Sequence, residues 1–455
     1  MGRAQALILG ARAYGEQLLA SLNVAPPQPL AVPDEHPARA WARSGLMALT
    51  GRADGAPQMC PIPLATCADG ALAALASLAP AGAFKGLRGS SLLAERAAIS
   101  GLMRAGSVSP GGACRLLSAA DGGIALNLAR EDDWSLLPAW LEQPVEADWL
   151  SVSRAVQTRR VHELVAQGRL LGLAVAADAL PSEPAAGWCV VTHQAQPRTP
   201  SISPRPPRVV DLSALWAGPL CGHLLQGLGA EVIKVDSAQR LDGARQGPAA
   251  FFDLLHAGQQ SVVLDTRDAR GRAQLKALLL QADIVIEASR PRALRQLGIP
   301  AEQLLAERPG LTWLSITGHG RDAVHEQSIA YGDDAGVAAG LSYWQQAASG
   351  EPMICGDAIA DPLTGLHAAL AAWAAHRAGG GRLLSVSLRE VVRHCIAFDP
   401  PTSAEAARVR AVEWTRHLRE CGVSAAAPQA RAPSALAAMA GTDTAAVLAR
   451  LGIAC

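Results

Sequence analysis

The residue with the clearest chemical potential is Asp361, in AIADPLTGLHAALAAW (358–373). A strongly apolar helical pattern follows it, and Pro362 falls at a favourable first-turn position. Two readings fit: an aspartate capping the helix N-terminus, or a carboxylate held there as a nucleophile. The local pattern does not separate them. Cys355 lies close by, but without a placed base it reads as a buried, inert thiol. His367, six residues beyond Asp361, is a lone histidine on an apolar helix and reads as a satisfied core residue rather than a base.

The elements that would position Asp361 begin at residue 208. RVVDL (208–212) reads as a buried strand, SALWAGP as a turn, LCGHLLQGLGA as a helix ending near Gly229, and EVIKVD (231–236) as a second strand. SVVLD (261–265), RGRAQLKALLLQA, DIVIEAS (283–289) and LTWLSITGHG (311–320) repeat the alternation, which predicts a doubly wound parallel α/β sheet. Ligands of such sheets sit beyond the carboxyl ends of the strands, so 213–219, Thr266–Arg267, Ser289–Arg290 and 318–320 are the candidate site loops. The first turn carries Gly218 but no G-x-G-x-x-G, and no phosphate-binding G-x-x-x-x-G-K-[ST] occurs. Asp236 therefore reads as an ordinary strand-end carboxylate rather than a ribose ligand, and NAD is not expected.

Composition sets the class. The chain has 455 residues, 50% of them hydrophobic, with 40 basic and 40 acidic side chains. A disordered chain needs low hydrophobicity and high net charge, and a nucleic-acid binder usually shows a basic excess; neither is expected. No apolar run of 18 residues occurs, and residues 1–9 hold a brief apolar stretch without a small-residue cleavage site, so a soluble, unexported, cytoplasmic protein with no membrane partner is predicted. Nine cysteines without a C-x-x-C pair fit neither a disulfide framework nor a zinc ribbon and read as reduced core thiols. HQAQPRTPSISPRPPR (193–208), with five prolines, reads as a semi-rigid linker after an Ala/Leu-rich first half.

The chain also repeats itself. Residues 44–75 can be laid over 339–370 without a gap, which sets Gly45 on Gly340, Pro57 on Pro352, Gly70 on Gly365 and Ala73-Ala74-Leu75 on Ala368-Ala369-Leu370. Where the second copy has Asp361, the first has Thr66.

DLSALWAGPLCGHLLQGLGAEVIKVD (211–236), the 261–299 segment, ERPGLTWLSITGHG (307–320) and AIADPLTGLHAALAAWAAHRAGGGRLLSVSL (358–388), in that order, closely resemble the family III CoA-transferases. That group includes formyl-CoA and carnitine CoA-transferases and the alpha-methylacyl-CoA racemases. The resemblance implies a Rossmann-like doubly wound sheet with a smaller α+β domain. Residues 44–100 look like a second copy of the central segment. RAGSVSPGGACRLLSAADGGIALNLAREDDWSLLPAWL (104–141) looks like the small domain with its glycine loop, and the end of the chain resembles the family's C-terminal stretch. The implied organisation is 1–192, a partial transferase-like region; 193–208, the linker; 209–398, the large domain; and 399–455, its C-terminal segment. The order is rearranged, yet one chain would still assemble one complete site.

By this resemblance Asp361 falls on the catalytic aspartate, which attacks an acyl-CoA thioester and passes through an anhydride to an aspartyl-CoA thioester. The N–H groups of Gly111 and Gly112 would hold the oxyanion. CoA contacts fall on Trp216, Ala217, Leu264, Arg267, Ser289, Arg290 and Tyr331; Arg267 suits phosphate through paired hydrogen bonds. Thr66 cannot serve as the nucleophile, so the first copy reads as silent.

Departures from the family pattern concern phosphate binding. Ser237 stands where relatives often carry an arginine, with Arg240 three residues on; Glu287-Ala288-Ser289 replaces ENF; and Gln296 lies between Arg292 and Arg295 near the usual LxRLG arginine. CoA phosphate contacts would be rebuilt from these shifted arginines. The racemase branch needs a GHD histidine, but this chain has Ala330-Tyr331-Gly332, and His325 does not fit the spacing. The expected activity is CoA transfer between carboxylic acids by a homodimer, with acyl-CoA as substrate, no tightly bound cofactor and no metal. The alternatives are a silent CoA-binding relative and, less favoured, a racemase.

Overall fold

The computed structural model describes residues 10–80, 82–199 and 205–454. The N-terminal stretch 1–9, part of the proline-rich segment (200–204) and Cys455 lie outside the described residues.

Two sheets organise the chain. The smaller is antiparallel, in the order β1 (Cys114–Ala119), β2 (Gly122–Asn127), β3 (Ala174–Ala177). The larger has seven strands: β4 (Val190–Gln194), β5 (Arg208–Asp211), β6 (Glu231–Ser237), β7 (Gln260–Leu264), β8 (Ile284–Glu287), β9 (Thr312–Thr317) and β10 (Arg382–Ser387). Its spatial order is β4-β10-β9-β8-β5-β6-β7, parallel throughout except for β4. The predicted doubly wound parallel sheet is present.

Period-two alternation explains why its strands are almost wholly apolar. Val209, Ile284, Ile286, Leu314 and Val386 face one side, against the helices Ala217–Gly227 and Ala360–Arg377. Val210, Ile233, Val285, Trp313 and Leu383 face the other, against Ala269–Leu280 and Ala301–Glu307. Both faces are covered, so neither tolerates a polar row.

The proline-rich segment is not a free spacer where it is described. His193 and Gln194 end β4 and pair with Leu383 and Arg382 of β10; the N–H groups of Ala195 and Arg198 then donate to Gly381 and Gly379. Prolines are tolerated because this is the sheet edge. At the opposite edge, β7 is closed by the C-terminal segment: Asp443 accepts from the Ser261 N–H at 2.8 Å and Thr444 from Val263 at 3.0 Å.

The sequence repeat has a structural counterpart. Helix Leu64–Ser77 crosses Ala11–Ser21 where a Cβ on Gly70 would lie 2.4 Å from the Ala11 carbonyl oxygen. Helix Ala360–Arg377 crosses Ala217–Gly227 where a Cβ on Gly365 would lie 2.8 Å from the Ala217 carbonyl oxygen and 2.9 Å from Leu220 Cβ. The same helix pair is thus built twice, and only glycine permits either crossing. Gly365→Ala is expected to destabilise the fold by about 1–3 kcal/mol through overpacking, despite alanine's better helix propensity, as read by urea unfolding.

Among the described residues no disulfide forms; Cys60, Cys67, Cys114, Cys221, Cys355 and Cys395 are buried thiols and Cys421 is exposed. No described helix is long and apolar enough to cross a membrane.

Candidate active site

Parallel strands put their carboxyl ends on one edge, and the turns after β5, β6, β8 and β9 gather there. Helix Ala360–Arg377 runs under this edge. Ile359 takes its N-cap position, so Asp361 is the second helical residue and not a cap; its own N–H donates to the Ala358 carbonyl at 2.9 Å. The capping reading is corrected, and the Asp361 carboxylate is free of that duty. It keeps partial access to solvent between buried neighbours. A Cβ on Gly332 would come within 2.3 Å of Asp361 Oδ2, so the backbone at 332 can press on the carboxylate only as glycine. Two non-glycine residues take left-handed conformations around it, Ala358 (φ 43) and Leu215 (φ 69), and local strain of this kind persists only where packing imposes it.

Burial pushes the Asp361 carboxyl up to about 7; nearby Asp357 adds to the rise, while Arg96 and the backbone N–H groups of Gly332 and Ala217 oppose it. Three more carboxylates crowd the site. Asp357 is fully buried and held bidentately by Arg96, with Nε to Oδ2 at 2.9 Å and a second short contact from Nη2 to Oδ1. Asp333 accepts from the Ala358 N–H at 2.7 Å and is raised to about 8, chiefly by burial and then by Asp357. Asp334 accepts from Asn127 Nδ2 and from the Tyr331 N–H, both at 2.9 Å, and is raised by burial to about 7.

Trp216 is the buried N-cap residue of helix Ala217–Gly227; the Arg96 guanidinium lies 5.7 Å from its ring centroid and Phe251 meets it edge-on at 5.5 Å. The predicted Trp216–Ala217 turn therefore does border Asp361. The glycine loop arrives from the small sheet, and a Cβ on Gly111 would stand 3.2 Å from Arg96 Nη2 and 3.8 Å from Asp357 Oδ1. The two predicted oxyanion donors differ. The Gly112 N–H is committed to the Ser109 carbonyl at 2.8 Å, closing the turn that Ser109-Pro110-Gly111-Gly112 encodes, whereas among the described residues that of Gly111 has no partner.

Of the predicted CoA contacts, Arg240 and Arg290 are exposed at the same edge and converge with Arg130 and Arg292: after burial, the charges of Arg292, Arg130 and Arg240 depress Arg290. Half-buried Tyr331 senses Arg130 and Arg240 as well. Arg240, Arg290 and Arg292 have no carboxylate partner among the described residues and suit a polyanion, whereas Arg130 is paired with Asp133 and bonds the Gly172 carbonyl. Ser289 donates to Glu287 Oε1 at 3.1 Å. The remaining two are placed differently from expectation. Leu264 is buried in the core beneath the sheet and its carbonyl accepts from Ala238, so it offers a ligand neither side chain nor carbonyl; Arg267 is exposed and spends its guanidinium on Asp265 at 3.2 Å. His367 bonds to the Tyr14 hydroxyl at 2.8 Å and the Leu363 carbonyl at 2.7 Å, a satisfied core histidine as read. Asp236 pairs with Lys234 and Arg245 inside the fold.

Sequence reading missed Arg96, Asp357, Asp333, Asp334 and Arg130. One signal was present: Asp333-Asp334 open the helix Gly332–Ala338; Asp357 lies in the bend before helix Ala360–Arg377, where helical spacing does not apply. Arg96 and Arg130 carry no local sign.

Comparison with known proteins bears on this geometry. The chain is 31% identical over 207 residues to the succinyl-CoA–D-citramalate CoA-transferase of Chloroflexus aurantiacus, covering 42% of this chain and 52% of that protein. It is 32% identical over 207 residues to the succinate–glutarate CoA-transferase of Agrobacterium fabrum, covering 40% and 50%, and 28% identical over 196 residues to the formyl-CoA:oxalate CoA-transferase of Escherichia coli, covering 41% and 47%. It thus spans about half the length of the curated relatives it matches. Solved structures that resemble it include a hypothetical protein of Mycobacterium tuberculosis, with 30% identity, TM-score 0.40, and 43% of this chain and 58% of that one covered. Another is a CaiB/BaiF family protein of Brucella suis, with 25% identity, TM-score 0.37, and 50% and 59% covered. Residues 207–446, just over half the chain and the stretch that carries strands β5 to β10, Asp361, Arg240, Arg290 and Arg292, match CoA-transferase family III, and the chain belongs to that family.

Proposed function

We propose that the protein transfers CoA from an acyl-CoA to a carboxylic acid, with Asp361 as the nucleophile. The observation that carries this reading is a carboxylate left partly accessible among buried, hydrogen-bonded ones, beside the Trp216–Ala217 turn and below the arginine cluster. An Asp361 oxygen attacks the thioester carbonyl; the C–S bond breaks, CoA thiolate leaves, and a mixed anhydride remains. The thiolate then attacks the aspartyl carbonyl, releasing the donor acid and leaving an aspartyl-CoA thioester. An acceptor carboxylate repeats the sequence in reverse, leaving with CoA and restoring Asp361. Gly111 donates its N–H to the oxyanion, and Arg240, Arg290 and Arg292 hold CoA phosphates, with Ser289 and Tyr331 beside them. CoA and acyl-CoA are substrates here, no further cofactor or metal takes part, and the protein acts as a cytoplasmic homodimer.

The test is peptide mass spectrometry after incubation with short, branched and aromatic acyl-CoAs, with Asp361→Ala as control. Acyl or CoA adducts on the Asp361 peptide, absent from the variant, support the reading. Measurable CoA binding with no adduct from any donor overturns it and leaves a silent CoA-binding relative. Because the carboxylate and not the acid attacks, adduct formation should fall about tenfold for each pH unit below about 7. A rate flat from pH 5 to 7 contradicts Asp361 as the titrating nucleophile.

A further inference from the structure

We propose that Arg96, contributed by the N-terminal copy that lacks a nucleophile, is the positioning cation of the site: it pins Asp357 and sets a positive charge among the carboxylates that surround Asp361. The inference rests on the nucleophile reading above and goes past it, because it gives the first copy a task in the second copy's chemistry.

The crowding of charge carries the argument. Asp361 shares its surroundings with Asp333 and Asp334 from helix Gly332–Ala338 and with Asp357 from the preceding bend; the Cys114 thiol also faces Asp333 and Asp334, and helix Ala217–Gly227 offers only the Ala217 N–H. Like charges this close cannot all ionise, so some must stay protonated unless a cation intervenes. Arg96 is that cation. It grips Asp357 with two nitrogens, lies against the Trp216 ring, and acts on Asp333 and Asp361 as well. Its fork is fixed on both sides, so its charge is preorganised and not merely nearby. A neutral residue there would leave Asp357 buried and unpaired, and Asp361 would take up a proton instead of attacking.

The repeat shows that this cation is one-sided. The register that sets Thr66 on Asp361, carried forward, sets Glu95 on Glu390 and Arg96 on Val391. One copy has the carboxylate without the arginine and the other the arginine without the carboxylate, so the two halves complete a single site.

The test is carbodiimide labelling of the full chain, which reacts with protonated carboxyls, followed by peptide mass spectrometry of Asp361 from pH 5 to 9. Wild type is compared with Arg96→Gln, Arg96→Lys and Arg96→Met, the last keeping an unbranched stem against Trp216 should the glutamine variant not fold. The labelling midpoint is expected to rise by about one pH unit or more in the Gln and Met variants and to stay near the wild-type value with lysine. A purely structural arginine would change melting temperature but not the midpoint, and unchanged midpoints in the Gln and Met variants would overturn the proposal. The readout needs no turnover: absence of adducts in wild type would defeat the nucleophile reading while leaving the labelling curves to decide on Arg96.

Discussion

Asp361→Asn is expected to lower CoA transfer by about 10⁴-fold, with CoA affinity changed less than about twofold. Asparagine has the same shape and keeps the first turn of helix Ala360–Arg377 intact, so the loss isolates the nucleophile. None of the neighbouring carboxylates can substitute. Asp357 has both oxygens engaged by Arg96, Asp333 is turned to the Ala358 N–H, and Asp334 is tied to Asn127 and Tyr331. Residual transfer within tenfold of wild type would remove Asp361 from the chemistry. The same variant has a stability signature. Because folding raises the Asp361 carboxyl from 3.8 to about 7, its contribution is fully present below about pH 4 and is lost as pH rises towards 7. Asparagine never ionises, so the variant should melt higher than wild type at pH 8 and about the same at pH 4. A nucleophile kept at a cost to the fold is expected to show gained stability and lost activity together.

What could be read in advance follows from how local each signal is. Strands β5, β6, β7, β8 and β9 are short apolar runs buried on both faces, so each was visible by itself. β4 (Val190–Gln194) holds no proline itself; it runs into the proline-rich stretch only at its last two residues, and as an edge strand paired on one side it lacks the buried apolar run that marks the others. Asp361 was placed by its helix and by the repeat, whereas the residue that tunes it lies 261 positions before Asp357 in an Ala/Leu-rich segment and meets the site only through tertiary folding. The arginine cluster divides in the same way: Arg240 and Arg290 follow strands of the large sheet, but Arg130 arrives with the small one. Spacing identifies partners within one element and gives no sign of those brought in from elsewhere. Leu264 lies in the core for a related reason, since a residue at the last position of a strand can point into the core as readily as over the edge.

Lys234→Met is expected to destabilise the protein by about 3–5 kcal/mol, the usual consequence of removing one partner from a buried charge cluster. Lys234 lies on β6 with its side chain only 2% exposed, and its Nζ donates to the Ser213 carbonyl and to Asp236 Oδ1 at 3.0 Å, with Asp242 Oδ2 at 3.4 Å. Burial disfavours its charge, but Asp211, Asp242 and Asp236 outweigh burial and hold the ammonium above its ordinary range. Two of these acids, Asp211 and Asp242, also build the first turn of the site. Asp211 Oδ1 accepts from the N–H and hydroxyl of Ser213, and Asp242 Oδ1 accepts from the Leu215 N–H at 3.0 Å, which fixes the strained residue ahead of Trp216. Without the lysine, Arg245 still neutralises Asp236 at 3.2 Å, but Asp211 and Asp242 keep no ammonium between them. The methionine variant should therefore lose stability in urea unfolding and also bind CoA several-fold more weakly, since the Trp216–Ala217 turn is released. Restoring part of the stability by adding Asp242→Asn, which removes an orphaned charge, would establish that charge and not packing is responsible. A loss below 1 kcal/mol would mean that the acids take up protons at no cost, and that the turn before Asp361 is held by its backbone alone.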